Sequence, residues 1–120
     1  MNRILNAFRN SWNGLSHVIR NEAAFRQEAA IFLVSLPVAY FLADSVFVFL
    51  LLTGSLVIVL TTELMNTGLE ALCDALSRET RDEIRIAKDC GSAAVALTIT
   101  LAGVIWLSVI AQKFGLLPLP

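Results

Sequence analysis

Three apolar runs organise the chain. They read AAIFLVSLPVAYFLA from Ala29 to Ala43, VFVFLLLTGSLVIVLTT from Val46 to Thr62, and GSAAVALTITLAGVIWLSVIA from Gly91 to Ala111. A membrane-spanning helix needs about 20 apolar residues at roughly 1.5 Å of rise each. The third run meets this alone. The second meets it with a few residues beyond Thr62, which brings Glu63 and Asn66 to the membrane edge. The first draws on Phe25, Arg26 and Gln27, with the arginine snorkelling toward the headgroups. Pro37 lies inside it, which membrane helices tolerate better than soluble ones. Only Asp44 and Ser45 separate the first two runs, so a tight helical hairpin is expected. The proline-rich tail LLPLP (Leu116–Pro120) cannot continue the third helix.

Ahead of these runs, Ile4, Leu5, Phe8, Trp12, Leu15 and Ile19 fall on one side of a helical wheel. Asn6, Arg9, Asn13, Ser16, His17 and Arg20 fall on the other. An aromatic-rich apolar face opposite a basic one suits a helix lying flat at the membrane interface. The alternative is a helix packed against the bundle, and both arrangements are compatible. Residues 1–28 are too polar to supply the apolar core of a cleavable signal peptide. The expected layout is one all-α membrane domain over residues 1–120. It comprises an amphipathic surface helix (1–27), a first span (about 28–44), and a second span with a cytoplasmic extension (about 46–73). A charged loop (74–90) and a third span (91–112) complete it.

Composition agrees. Hydrophobic residues make up 57% of the chain and charged residues 16%, against about 45–50% and about 25% in soluble domains. Mean hydropathy is +0.72. Disorder, a disulfide scaffold and a multidomain enzyme are thereby excluded. A net charge of −1 gives no basic face for nucleic acid. Arg3, Arg9, Arg20 and Arg26 precede the first span; Arg78, Arg81, Arg85 and Lys88 lie between the second and third; only Lys113 follows. Positive-inside bias puts the N-terminus and the charged loop in the cytoplasm and the C-terminus outside. Cys73 and Cys90 have no Cys-x-x-Cys spacing or histidine partner, so neither a disulfide nor a zinc site is indicated.

The chemistry lies where the second span ends. Along Glu63-Leu-Met-Asn66-Thr-Gly-Leu-Glu70-Ala-Leu-Cys-Asp74, the four polar side chains share an arc of about 80° on one helical face. Carboxylates in register repel one another, and the first carries a desolvation cost at the membrane edge. A solvated acidic face, or polar side chains joining helices, would explain Asp74 as well as a function would. For Glu63 and Asn66, flanked by Leu60, Leu64 and Met65, function is the better reading. Two further groups sit on the same side. One is Asn21–Glu28 (NEAAFRQE), where Glu22 and Arg26 have the spacing of a simple i,i+4 ion pair. The other is Lys88–Ala94 (KDCGSAA), whose small residues suit close helix packing. Together they place carboxylates, an amide, a lysine and an arginine at the cytoplasmic ends of three helices. That set suits phosphoryl transfer: two carboxylates hold Mg²⁺ on a nucleotide, cations neutralise phosphates, and a further carboxylate takes a proton from a lipid hydroxyl. No Walker A, protein-kinase Gly-rich or His-Arg-Asp sequence is present.

At these residues the sequence resembles the bacterial integral-membrane diacylglycerol kinase family. That family's signature, Glu-x-aliphatic-Asn-Ser/Thr-Ala/Ser-aliphatic-Glu-x-x-Val-Asp, reads ELMNTGLEALCD from Glu63 to Asp74. Gly68 stands where the family has Ala or Ser, and Cys73 where it has Val. NEAAFRQE, Lys88–Val95 (KDCGSAAV) and Ser11-Trp12-x-Gly14-Leu15 extend the resemblance over essentially the whole chain. It implies an ATP-dependent kinase that converts 1,2-diacyl-sn-glycerol to phosphatidic acid in the bacterial inner membrane. It further implies a homotrimeric helical bundle with sites shared between neighbours. By position, Glu63 would be the general base and Asn66 would orient groups near it. Glu22 and Glu70 would hold the divalent cation (Mg²⁺) and approach the nucleotide. Arg3, Asn10, Asp74, Glu79, Thr80, Arg81, Lys88 and Asp89 would lie on the nucleotide side, with Asn10 where the family often has a tyrosine. Arg3, Trp12, Ala24, Phe25, Arg26, Gln27, Glu28, Glu63 and Ser92 would meet the lipid. Rival readings are an undecaprenol kinase of the same superfamily and a non-catalytic small membrane subunit or transporter.

Overall fold

A computed structural model describes residues 2–76 and 81–118, and its regular elements are all helices. They are α1 (Asn2–Asn21), α2 (Ala23–Leu42), α3 (Val46–Leu76) and α4 (Asp82–Lys113). The last three are each long and apolar enough to cross a bilayer.

A single residue separates α1 from α2. Glu22 is extended (φ −113°, ψ 105°), yet its N–H still donates to the Val18 carbonyl at 2.8 Å and its carbonyl accepts from Arg26 N–H at 3.2 Å. A helix end leaves carbonyls without partners. Here the Arg26 guanidinium donates to the carbonyls of Ile19 (2.9 Å) and Arg20 (3.0 Å). A cation also suits the negative end of the α1 dipole. Arg26 is therefore committed to the elbow and does not form the i,i+4 pair with Glu22 that the spacing allowed. Val18 and Phe25, one on each arm, are buried.

Three residues, Ala43, Asp44 and Ser45, join α2 to α3, one more than the sequence indicates. Ala43 is extended, and Ser45 Oγ accepts the Val48 N–H at 3.1 Å, capping α3. At the far end, α4 closes on Gly115, whose φ of 74° needs a residue without a Cβ. Leu116 N–H reaches the Ala111 carbonyl (2.8 Å) and Gly115 N–H that of Gln112 (3.2 Å). This is a Schellman closure that ends the helix before the prolines.

α3 and α4 have 31 and 32 residues, roughly 46–48 Å at 1.5 Å per residue, against about 30 Å of hydrocarbon. Both must project from the membrane. The charged stretch read as a loop is accordingly helical up to Leu76 and again from Asp82. Asp82 and Glu83 in the first turn of α4 favour its N-terminal dipole. Arg85 pairs with Asp82 (3.8 Å) and Asp89 (3.6 Å) at helical spacing.

α4 packs chiefly along α3, and α2 along α3, while α2 and α4 scarcely meet. Ala39, Leu42 and Leu52 form the buried core near the hairpin, with Phe49, Ile105 and Trp106 against it. Trp106 Nε1 donates to the Leu52 carbonyl at 3.1 Å, and the Thr62 and Thr98 hydroxyls bond at 2.9 Å. Most large apolar side chains stay exposed, among them Leu33, Phe47, Leu97 and Leu107. Only an apolar surrounding or other protein would cover them.

Candidate active site

Three helices supply the polar groups brought together beyond the apolar core. From α3, half-buried Glu63 lies near the carboxyl group of Glu28, which α2 supplies one turn after Ala24. One turn on, Asn66 is half-buried and its Nδ2 donates to Glu70 Oε1 at 3.3 Å. Its Oδ1 is buried without a partner and occupies the place a Cβ would take on Gly91 of α4, with Leu69 Cδ2 also 3.1 Å from that position. Asn66 can lie between α3 and α4 only because residue 91 has no side chain. Two turns further, Lys88 Nζ of α4 reaches Asp74 Oδ1 at 2.8 Å across the same helix pair. These groups fall at Glu63, Asn66 and Asp74, on the single face that the spacing defines.

The structure thus brings Glu28 near Glu63 and joins Asn66 with Glu70 and Asp74 with Lys88. Asp89 turns instead to Arg85. Glu22 is half-buried at the elbow, whereas Arg81, the residue before α4, is exposed. Ala24, Gln27 and Ser92 are exposed and Phe25 is buried. Arg3, Asn10 and Trp12 lie exposed on α1, away from the α3–α4 contacts. Glu79 and Thr80 lie outside the described residues.

Two contacts escaped the sequence reading. Glu28 groups with its neighbours NEAAFRQE in sequence, and its place a full turn inside α2 is the signal that it faces another helix. In sequence, Gly91 is one of a run of small residues. The amide that fills its place is visible only once the register of α3 against α4 is known.

Among the described residues no group of three His, Cys, Asp or Glu side chains could hold a metal ion. This donor set still fits magnesium, which retains waters and binds through one or two carboxylates plus substrate phosphates. Glu70 is exposed, with only one oxygen engaged, and at 3.3 Å. A groove of about 420 Å³ runs from Glu28 past Ile31, Ser35, Leu56, Val59 and Ala102 to Trp106. Its walls are apolar apart from Glu28 at one end and Ser35 along its length.

Comparison with known proteins decides the family. The profile of prokaryotic diacylglycerol kinase matches residues 9–110. The diacylglycerol kinase of Escherichia coli (strain K12) is 36% identical over 113 residues, 94% of this chain and 93% of that protein. The chain belongs to the prokaryotic diacylglycerol kinase family. The Pseudomonas aeruginosa diacylglycerol kinase is 36% identical over 110 residues, 92% and 89% of the two chains. The Haemophilus influenzae diacylglycerol kinase is 29% identical over 106 residues, 88% and 90%. With three helices able to span a bilayer, this member of the diacylglycerol kinase family is a multi-pass membrane protein. The profile match includes every polar contact just described and leaves Arg3 outside it.

Proposed function

We propose that this protein is an ATP-dependent diacylglycerol kinase, transferring the γ-phosphoryl group to the primary hydroxyl of 1,2-diacyl-sn-glycerol to give phosphatidic acid. The observation that carries the reading is the polar face of α3, from Glu63 to Asp74, approached by Glu28 of α2 and met by Gly91 and Lys88 of α4. This face begins at the membrane edge, where a lipid hydroxyl and a water-soluble nucleotide have to meet.

In this reading Glu63 accepts the hydroxyl proton as the oxygen attacks the γ-phosphorus and ADP departs. Asn66 steadies the neighbourhood of the base. Magnesium, held by Glu22 and Glu70, would supply charge neutralisation on the phosphates. Arg3, Asn10, Asp74, Glu79, Thr80, Arg81, Lys88 and Asp89 take the nucleotide side. Trp12, the run Ala24 to Glu28, and Ser92 take the lipid side, and the apolar groove below Glu28 suits an acyl chain. Arg26 serves this run through the elbow it braces.

We assign α1 to the membrane surface: Ile4, Leu5, Phe8, Trp12, Leu15 and Ile19 are all exposed in the single chain, and a lipid interface covers such a face. Glu22 and Arg3 stand on other elements than Glu70 and Lys88, and the exposed sides of α3 and α4 need covering. Both features support a homotrimer whose sites are completed by neighbours. The N-terminus and the α3–α4 connection then lie in the cytoplasm and the C-terminus in the periplasm of an inner membrane.

The decisive experiment presents the purified chain with labelled ATP, Mg²⁺ and either diacylglycerol or undecaprenol in mixed micelles. Labelled phosphatidic acid is expected. Preferential labelling of the polyprenol would reassign the acceptor, and no label in either lipid would refute a kinase.

A further inference from the structure

Charge is segregated between α1 and the rest of the chain. Between Asn2 and Asn21, α1 holds Arg3, Arg9 and Arg20 and no Asp or Glu, while the remaining residues carry all ten carboxylates against six Lys and Arg. Arg9 and Arg20 are exposed, and among the described residues neither guanidinium has an ion-pair partner. At about 100° per residue, Arg9, Asn13, Ser16, His17 and Arg20 share an arc of roughly 100°, and Trp12 stands next to it at the edge of the apolar face. Asn13, Ser16, His17 and Arg20 line, with Trp12 and Asn21, a recess of about 220 Å³. Asn21 Nδ2 donates to the His17 carbonyl at 2.7 Å and lies 3.2 Å from its Nδ1, which steadies the ring there. Every polar side chain of the recess can donate a hydrogen bond, and none is a carboxylate. An anion suits such a set. The exposed Phe8 and Trp12 fix the depth at which that anion lies, because aromatic rings of this kind settle at the level of lipid headgroups.

We propose that this side of α1 is a binding surface for anionic phospholipid headgroups of the surrounding leaflet. Arg9 and Arg20 supply the charge, and Asn13, Ser16 and His17 supply the hydrogen bonds. The inference rests on the assignment of α1 to the membrane surface and adds the class of lipid that the surface selects. Diacylglycerol has no charge, so the selection acts on the lipids around the substrate and not on the substrate. Basic residues are drawn to an anionic leaflet only within about a Debye length, and the apolar face of α1 keeps them inside that range.

The test is tryptophan quenching by brominated lipids. The chain has two tryptophans, Trp12 and Trp106, and the difference between the unsubstituted protein and Trp12→Phe reports Trp12 alone. The full-length chain is reconstituted, without nucleotide or diacylglycerol, into phosphatidylcholine vesicles. These hold a minor fraction of either brominated phosphatidylglycerol or brominated phosphatidylcholine. At low salt, quenching of Trp12 should favour the brominated phosphatidylglycerol by roughly fivefold in apparent association constant, and raised ionic strength should shrink that preference. Arg9→Gln combined with Arg20→Gln should bring it close to one. Arg9→Lys combined with Arg20→Lys keeps the charge and should retain most of it. Equal quenching by the two lipids, a preference untouched by the glutamine pair, or equal losses in the lysine and glutamine pairs would overturn the inference. A raised KM for ATP in the glutamine pair, with the lipid preference unchanged, would assign the arginines to the nucleotide instead. Trp12 left unquenched by either lipid would remove α1 from the membrane surface altogether, so the two failures are told apart.

Discussion

The two ends of the helical bundle are built on opposite terms. Near the α2–α3 hairpin, Ala39, Leu42 and Leu52 are buried, Trp106 finds a backbone acceptor, and Ser45 caps the next helix. Lys113 lies 3.6 Å from Asp44 and 5.4 Å from the centre of the Phe41 ring, drawing the end of α4 to the turn. At the other end, two carboxyl groups lie near each other, an amide oxygen has no partner, and Lys88 lies against Asp74. Buried polar groups left unsatisfied cost stability. The hairpin end therefore contributes the packing that lets the polar end hold groups no stable core would choose.

That division predicts a crossed pattern, which is also the largest effect expected. Glu63→Gln should lower kcat by about 10²–10⁴-fold, the usual reach of a positioned base, with folding and ATP binding intact. Leu52→Ala, at a position with no exposed surface, should destabilise by roughly 2–5 kcal/mol through the lost packing and the cavity left behind. Its turnover per folded molecule should be near normal. Unfolding in detergent and ATP-dependent labelling, measured on both variants, check the pattern. If Leu52→Ala lowered kcat in the folded fraction as far as Glu63→Gln does, the two ends would not be separable.

Legibility in the sequence follows the same division. The spans were readable because bilayer thickness forces a minimum apolar length, and the polar face of α3 because helical periodicity puts Glu63, Asn66, Glu70 and Asp74 together. The hairpin at Asp44 and Ser45 needed only its length. What the sequence withheld depends on how one helix is registered against another. Glu28 opposite Glu63 and Gly91 beneath Asn66 are contacts between helices, and no periodicity within one helix encodes them. The start of α4 was hidden for another reason. Charges such as Asp82, Arg85 and Asp89 read as a loop by composition, yet they support a helix by their spacing.

Gly91 offers an intermediate effect that tests whether the polar end depends on tight backbone approach. Gly91→Ala places a methyl group where Asn66 Oδ1 now lies. Forcing extra volume into a packed contact costs about 1–3 kcal/mol, and here the displaced group is the amide one turn from Glu63. A fall in kcat of roughly tenfold is expected, from misplacement rather than removal. The double variant Asn66→Ala, Gly91→Ala sharpens the point. Once the amide is gone, the added methyl should cost nothing further, so the two substitutions should be non-additive. Additive losses in kcat would mean that Gly91 matters for something other than room for Asn66.

The smallest effect concerns Lys88 and Asp74. Both are substantially exposed despite their 2.8 Å separation, and exposed ion pairs contribute little to stability and are screened by salt. Neither Lys88→Met nor Asp74→Asn should move the unfolding midpoint appreciably. If the ammonium group meets a phosphate when nucleotide binds, Lys88→Met should still raise KM for ATP, by roughly tenfold or less, with kcat much less affected. The difference from the unsubstituted protein should shrink as ionic strength rises. A variant with lowered stability and unchanged KM would make the pair a structural link between α3 and α4, placing it with the packed end of the bundle in kind if not in position.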